Sequence, residues 1–208
     1  MKRTLLLALA LIAVGCAEPI PRNLDELSRQ GPQYLDPETL EPYSGPAYQM
    51  SEDDSTEIVL RVNVRDGRLH GDFEDFDVVG LYETGTYRDG QREGPYELFY
   101  TSGVLVGRGV YENGEKEGPY ETYYENGRLE FRGTHVAGEP EGLWRRYYEN
   151  GQLQSRTNWV AGRTGGNRHG PYESYYENSQ LREKGTYNMN NRCGEWIEDG
   201  EAVTYDPC

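Results

Sequence analysis

Gly118-Pro-Tyr-Glu-Thr-Tyr-Tyr-Glu-Asn-Gly127 is the clearest copy of a block that recurs along this sequence. Equivalent blocks begin at Gly94, Gly142 and Gly170, at offsets of 24, 24 and 28 residues. Each block is followed by a turn and then by a leucine, and these leucines are Leu105, Leu129, Leu153 and Leu181. A period of this length is typical of proteins built from tandem structural repeats.

The repeat extends in both directions from these four blocks. Upstream, the template fits residues 71–87 and, more loosely, residues 45–64. Downstream, it reaches a shortened unit that begins at Gly194. We therefore predict six units of about 24 residues plus a C-terminal cap, which together fill residues 44–208.

Each unit is predicted to be one β-hairpin. In the quoted block, Tyr120 and Thr122 alternate with Glu121 and Tyr123, which is the period-two pattern of a strand. The Asn-Gly pair that ends the block predicts a type I′ turn, since both central residues of that turn need a positive φ. A second turn pair, such as Asn113-Gly114, joins each unit to the next. The predicted fold is all-β, an elongated antiparallel meander in which each hairpin buries a face only against its neighbours.

Aromatic residues fall on both faces of the predicted sheet. One row is expected to pack at equivalent places, beside the leucines, and comprises Tyr96, Tyr120, Trp144, Tyr172 and Trp196. A second row has the opposite parity and comprises Phe99, Tyr123, Tyr147 and Tyr175. Two interpretations of the second row stay open. It either supplies the flat cross-strand packing of a thin sheet, or forms an exposed strip that binds a protein partner or a glycan strand.

The phased array resembles the MORN-repeat-variant proteins, a group often labelled YwqK-family antitoxins. Gly118-Pro-Tyr120, Tyr123-Tyr-Glu-Asn-Gly127 and Leu129 match the family pattern, and the resemblance covers about residues 44–208. Ser179, Asn190 and an insertion at residues 163–169 depart from it, which leaves the strand register there open. The resemblance implies a repetitive β-sheet and, through the family label, the neutralisation of a toxin by binding.

The N-terminal sequence indicates that the protein is exported. Met1-Lys2-Arg3 is cationic, and residues 5–14 are apolar but too few to span a bilayer, so residues 1–15 are interpreted as a signal peptide. Ala13-Val14-Gly15-Cys16 resembles the lipobox of bacterial lipoproteins, which implies lipid attachment at Cys16. The alternative is a plain signal peptide with Cys16 as an incidental thiol. Ala17 is similar to the outer-membrane sorting pattern, so we expect a lipoprotein of the outer membrane that faces the periplasm or the surface.

Residues 16–43 are predicted to form a tether between the lipidated cysteine and the repeats. Proline can neither continue a helix nor donate to a strand ladder, and this stretch contains Pro19, Pro21, Pro32, Pro37 and Pro42. We expect a largely extended spacer with at most a short helical turn near Leu24. A spacer of this kind would hold the folded part several nanometres from the membrane.

The two remaining cysteines, Cys193 and Cys208, are expected to pair. An exported protein meets an oxidising compartment, and closing a 15-residue loop would contribute roughly 3 kcal/mol in the chain-entropy model. Two free thiols are the alternative. A zinc site is disfavoured, because no histidine lies near either cysteine in the sequence.

Composition and motif content exclude several functions. The chain has 208 residues with 36 acidic and 21 basic side chains, so its formal net charge of −15 excludes electrostatic binding of nucleic acid. His70, His135 and His169 lie in different units, with no pair at a ligand spacing. Glutamates recur at the turns, but recurrence marks structure, whereas catalysis needs one asymmetric site. We therefore expect no metal, no cofactor and no enzymatic activity.

Three functions remain open at the level of the sequence. The first is an envelope-anchored scaffold for protein–protein interaction, with an unknown protein partner in the cell envelope. The second is a module that binds glycan or peptidoglycan, for which the aromatic rows are the motive. The third is an antitoxin-like or immunity-like protein that neutralises a toxin by binding it. A hydrolase of wall polymers is the enzymatic alternative.

Overall fold

The computed structural model describes residues 19–52, 57–76, 81–162 and 166–208, and nearly all of its regular structure is β. Within these ranges no helix is long and apolar enough to cross a bilayer. One short 3-10 helix occupies Leu24–Glu26. The strands are β1 (Arg22–Asn23), β2 (Ser28–Gln30), β3 (Gln33–Leu35), β4 (Gly45–Met50), β5 (Ile58–Arg65), β6 (Arg68–Phe76), β7 (Leu81–Arg88), β8 (Gln91–Arg92), β9 (Gly94–Tyr100), β10 (Leu105–Glu112), β11 (Glu115–Lys116), β12 (Gly118–Tyr123), β13 (Leu129–Val136), β14 (Glu139–Tyr147), β15 (Leu153–Val160), β16 (Asn167–Tyr175), β17 (Leu181–Asn188), β18 (Asn191–Glu198) and β19 (Glu201–Thr204).

A single sheet of 17 strands contains all of these strands except β2 and β3. From β4 to β19 the chain runs as a meander, and strands that follow one another pair antiparallel. The two-residue strands β8 and β11 lie beside β7 and β10, which also pair with β9 and β12. Strand β1 adds one parallel pairing at β4. The predicted all-β meander of hairpins is confirmed.

The hairpins use two kinds of turn, and the sequence assigned the type I′ turn to the wrong one. Asn113 and Gly114, at a junction between units, have φ values of 52° and 86°, as a type I′ turn requires. At Asn126-Gly127, within a unit, only Gly127 has a positive φ, of 76°. The Asn126 side chain instead accepts a 2.9 Å hydrogen bond from the Arg128 N–H, so it stays in an ordinary conformation. This longer turn therefore needs one left-handed residue rather than two.

The departures from the repeat pattern preserve its geometry. Ser179 and Asn190 replace glycine at turns, and both adopt the left-handed conformation, with φ values of 64° and 70°. Strand register after Ser179 is regular, because Tyr175 pairs with Leu181 as Tyr147 pairs with Leu153. Across the insertion, pairing of β15 with β16 resumes at Val160 and Asn167, while residues 163–165 lie outside the described residues.

One face of the sheet, here called the packed face, carries the first aromatic row. Tyr120 contacts Trp144 with ring centroids 5.8 Å apart, and Tyr172 contacts Trp196 at 5.9 Å. Each tryptophan lies flat over a glycine of the preceding strand: a Cβ atom built on Gly133 or Gly185 would lie 2.1 Å from the indole. The aromatic rings therefore pack on bare backbone, which is how a sheet without a second layer gains buried area.

Cations separate these aromatic groups, a feature that sequence reasoning missed. Lys116 lies over the rings of both Tyr96 and Tyr120, with its Nζ 5.8 and 5.3 Å from their centroids. At the equivalent position two residues before the unit glycine, the guanidinium of Arg192 lies 4.5 Å from the Trp196 ring centroid. The first aromatic row is thus a series of groups with cations between or above them, rather than one continuous stack.

Contacts between turns join neighbouring units beyond the strand ladders. The Tyr124 hydroxyl donates to the Tyr147 carbonyl at 2.6 Å, and Tyr148 donates to the Tyr175 carbonyl at 2.8 Å. These bonds explain the Tyr-Tyr pairs of the repeat: the first tyrosine belongs to the second aromatic row, and the second reaches into the next unit.

Residues 19–43 do not form the predicted extended spacer. Leu24 and Leu27 are buried in a cluster with Ala47, Val62 and Phe73, at the start of the sheet. The β2–β3 hairpin also bonds to the first turn between strands, because the Tyr34 N–H donates to the Gly67 carbonyl at 2.7 Å. These residues form an N-terminal cap, here defined as residues 22–43. The short helical turn expected near Leu24 is present.

The C-terminal end is closed by a covalent bond. Cys193 and Cys208 form a disulfide, with their Cα atoms 5.0 Å apart, so the predicted pairing occurs in the structure. Cys193 is buried, and the Gly194 N–H donates to the Asp206 carbonyl at 2.9 Å. The terminal strand β19 is only four residues long, which leaves little unpaired edge.

We predict that Leu24→Ala lowers the free energy of unfolding by about 2–4 kcal/mol, because it opens a cavity between the N-terminal cap and the sheet. Urea denaturation of the purified chain measures the change. Ile20→Ala is the control, because Ile20 is 85% exposed, and it is expected to change stability by less than about 0.5 kcal/mol. Equal, small effects of both variants would mean that the cap does not pack.

Candidate binding face

The opposite side of the sheet, here called the open face, carries the second aromatic row. Its four residues, one in each of four units, are half-buried: Phe99, Tyr123, Tyr147 and Tyr175. The predicted opposite parity holds in the strand register, since Glu121 and Tyr123 alternate with Tyr120. The repeat leucines pair with this row, as Leu129 does with Tyr123, rather than lying beside the packed aromatic row as expected. The row is less exposed than a free aromatic strip would be.

Phe99 belongs to a larger aromatic cluster than the sequence indicated. Its ring stacks on Tyr82 at 5.0 Å with an interplanar angle of 16°, and Tyr82 contacts Phe76 at 6.0 Å. Tyr82 is the direct cross-strand partner of Phe99. The cross-strand register between the unit at residues 71–87 and the next unit, which the sequence alone did not supply, would have identified the pair.

Two tyrosines of the row are bound to carboxylates of their own strands. The Tyr123 hydroxyl donates to Glu121 at 2.7 Å, and the Tyr175 hydroxyl donates to Glu173. Burial and the Glu121 carboxylate raise the pKa of Tyr123, while the bond to Glu173 is the main cause of the raised pKa of Tyr175. Tyr147 has no such partner, because the equivalent position holds Arg145.

A line of charged side chains crosses the open face beside this row. Each member is the direct cross-strand partner of the next, and we call the line the charge ladder: Glu97, Arg108, Glu121, Arg132, Arg145, Arg156, Glu173 and Lys184. Opposite charges face each other along it except around Arg145. The ladder is not visible in the sequence, because successive members are up to 17 residues apart and only the strand register aligns them.

Ion pairs join the ladder on both sides of Arg145. Glu121 pairs with Arg108 at 2.6 Å and with Arg132 at 3.5 Å, and Glu173 pairs with Arg156 at 2.6 Å and Lys184 at 3.3 Å. Hydrogen bonds from Tyr123 and Arg108 hold the pKa of Glu121 below its usual value. Burial alone would raise the pKa of Glu173, but hydrogen bonds from Tyr175, Lys184 and Arg156 together lower it. Both carboxylates therefore stay charged at neutral pH.

Shallow grooves follow the open face. The first has a volume of about 650 Å³ and carries four carboxylates and one guanidinium in its lining, those of Asp72, Glu74, Glu97, Glu121 and Arg108. A second, of about 510 Å³, shares Asp72 and Glu74 with it and continues towards the N-terminal cap. A third, of about 330 Å³, lies beside Leu143 and Pro171. The N-terminal half of the open face is therefore acidic.

The other predicted site residues fall in separate places. Cys16, the predicted lipid attachment site, lies outside the described residues. His135 is buried on the packed face between Tyr120 and Trp144, with centroids 5.0 Å from each ring. His70 lies 3.5 Å from Asp89, and His169 is exposed. Among the described residues, no group of three His, Cys, Asp or Glu side chains is placed to hold a metal ion.

Together the meander, the stacked units and the caps define a β-repeat protein. The family model of the MORN repeat variant matches four stretches, residues 92–113, 116–137, 140–161 and 168–189. Between residues 92 and 189 the chain therefore contains four stretches that match the MORN repeat variant, in agreement with the resemblance seen in the sequence. The two upstream units lie outside these matches, although their strands pair in the same way. No curated protein matches the chain.

We predict that His135 makes stability depend on pH. Burial lowers the pKa of His135, and the nearby Lys116 lowers it further, while Glu117 opposes them. The unfolded chain then binds the proton more readily, so the stabilising contribution is complete above about pH 6.5 and is lost as the pH falls towards the lowered folded pKa. Thermal unfolding at about pH 7.5 and about pH 5.5 measures the loss.

The matched variant is His135→Tyr, because tyrosine occupies the equivalent positions 111 and 187. Its melting temperature is expected to fall less on acidification than that of the wild type. His169→Tyr, at an exposed position, is the control and should keep the wild-type slope. A His135→Tyr variant with the wild-type slope would contradict the assignment.

Proposed function

We propose that this protein is an envelope-anchored, non-catalytic scaffold that binds a protein partner through its open face. The observation that carries the proposal is the asymmetry of the sheet. On the packed face, the aromatic side chains contact one another between units. On the open face, half-buried rings, guanidinium groups and grooves face solvent. Surfaces that combine aromatic and arginine side chains are typical of protein interfaces.

Recurrence supports binding over catalysis. The pair of a tyrosine hydroxyl and a carboxylate two residues earlier occurs at Tyr123 and again at Tyr175. A row of equivalent groups, one in each unit, suits an extended partner that contacts several units at once. MORN repeats in general serve as scaffolds for protein or membrane interactions, which is compatible with this role.

Anchoring at Cys16 is the second part of the proposal and rests on the lipobox-like sequence. The first strand begins at Arg22, only six residues after Cys16. A fully extended chain spans at most about 3.6 Å per residue. Because the N-terminal cap replaces the expected spacer, a lipid on Cys16 would hold the folded body within roughly 20 Å of the bilayer rather than several nanometres away.

We predict that Cys16→Ser releases the protein from the membrane fraction and abolishes its labelling by radioactive palmitate. Two acyl chains give stable anchoring because each buried methylene contributes about 0.8 kcal/mol. Cys208→Ser is the control, since that cysteine lies in the disulfide, and it should still be labelled. Labelling that persists in Cys16→Ser, or no labelling of the wild type, would contradict the anchor.

We predict that crosslinking in living cells captures a discrete protein on the wild-type chain and loses it when Phe99, Tyr123, Tyr147 and Tyr175 are changed to Ser. Mass spectrometry identifies the captured partner. Val136→Ser with Met189→Ser is the control, because both residues are exposed, at 44% and 48%, outside the second aromatic row. Because half-buried rings also stabilise the sheet, the single variant Tyr147→Ser tests the face with less risk to folding.

The outcomes separate the proposed function from its alternatives. A partner that survives in both row variants would place binding elsewhere on the molecule. Capture of wall material alone, with sedimentation of the protein on purified cell wall, would favour glycan binding. A captured toxin, whose expression kills cells only when this protein is missing, would favour neutralisation.

A further inference from the structure

The charge ladder contains one break in its alternation. One position of the unit motif comes directly after the residue of the first aromatic row. Three units carry a glutamate there, Glu97, Glu121 and Glu173, and the fourth carries Arg145. With a glutamate there, the ladder would alternate in sign from Glu97 to Lys184. Arg145 instead faces Arg132 on β13 and Arg156 on β15. Three guanidinium groups thus lie on three adjacent strands.

This arrangement is unfavourable for the sheet itself. Like charges directly opposite one another on neighbouring strands are destabilising. Arg132 and Arg156 each have a carboxylate partner on their outer side, Glu121 and Glu173, whereas no ion pair joins Arg145 to any other residue in the described part of the chain. Of the two glutamates on the same strand, the nearer one, Glu141, accepts a 2.8 Å hydrogen bond from the Ala161 N–H instead.

An apolar side chain accompanies the unpaired guanidinium. The unit motif has proline at positions 95, 119 and 171, but Leu143 at the fourth, and Leu143 is 41% exposed. It borders the third groove together with Pro171 and Arg156. Tyr147 is the one tyrosine of the second aromatic row that has an arginine, Arg145, rather than a glutamate two residues before it. The same unit therefore differs from the others at each of these points on the open face.

We infer that Arg132, Arg145 and Arg156, with Leu143 and Tyr147, form a docking patch for an acidic segment of a protein partner. The inference rests on the proposed role of the open face in protein binding and names the chemistry of the partner. Neighbouring strands are about 4.8 Å apart, so the three arginines extend over roughly 10 Å, a length that an extended segment with two or three carboxylates matches. Guanidinium groups bind carboxylates in a bidentate geometry, and Leu143 with the groove accepts an apolar side chain of the same segment.

The test measures binding of the full chain to three labelled peptides of equal length. The first contains Glu, Leu and Ser, and the other two have Gln or Lys in place of each Glu. We expect the Glu peptide to bind, with an affinity that falls as salt is added, and the Gln and Lys peptides to bind at least tenfold more weakly. Arg145→Glu is expected to weaken binding of the Glu peptide at least tenfold.

Arg145→Glu is also expected to raise the melting temperature or leave it unchanged, because it restores alternation in the charge ladder. A loss of binding without a loss of stability therefore cannot come from unfolding. Arg61→Glu is the matched control: it makes the same change of charge at an exposed residue of the open face, far along the sheet, and should bind as the wild type does. Arg145→Gln provides a second variant that removes the charge without reversing it.

Several results would overturn the inference. These are a Glu peptide that does not bind, equal binding of the Gln peptide, unchanged binding by Arg145→Glu, or binding only to polygalacturonate or to vesicles that contain anionic lipid. The same variant in the crosslinking experiment separates the two proposals. If Tyr147→Ser loses the partner but Arg145→Glu keeps it, the scaffold function is supported and the docking of an acidic segment is contradicted.

Discussion

The structure depends on the contact between an aromatic ring and a bare stretch of backbone. In the part of the chain that the structure describes, no second layer covers the repeats, so the sheet buries only what its own strands supply. Gly133 and Gly185 provide the space, because any side chain there would occupy the position of the indole of Trp144 or Trp196. The rings then cover the backbone, and cations such as Lys116 and Arg192 cover the rings. A chain poor in aliphatic residues can fold in this way.

The same constraint makes both ends of the array important. Bonds such as Tyr124 to the Tyr147 carbonyl, or Glu117 to the Ala137 N–H, cross from one unit to the next, so each unit is supported mainly by its neighbours. The first and last units lack one neighbour. Leu24 and Leu27 supply the missing apolar surface at one end, and the Cys193–Cys208 disulfide restrains the other. The N-terminal residues therefore act as part of the fold rather than as a spacer.

The sequence predicted those features that repetition makes visible. The period, the hairpins and the two faces follow from residue types at fixed spacing, whereas the disulfide was expected because two cysteines remain in a chain predicted to be exported. The N-terminal cap was missed because prolines interrupt every local pattern around Leu24, and its partners, such as Val62, lie almost forty residues away. The turn type at Asn126 was missed because the asparagine side chain caps its own turn, which the dipeptide alone does not show. The charge ladder needed the strand register, and bulges between most of the paired strands shift that register by one or two residues.

In this molecule, positions at which the units agree indicate stability, and positions at which one unit differs indicate function. Where the units agree, as at Glu121 and Glu173, the side chains neutralise one another and stabilise the sheet. Where the unit at Gly142 differs, its arginine lies opposite two others at a cost to the stability of the fold, and such a local conflict is expected at functional positions.

The acidic residues around the arginine patch make its binding more selective. A broadly acidic surface approaching the open face meets Asp72, Glu74 and Glu97 in the first groove and is repelled, as it is by a chain of net charge −15. Only a short acidic segment that fits within the arginine patch gains the attraction without the repulsion, so the acidic remainder of the protein contributes selectivity rather than affinity.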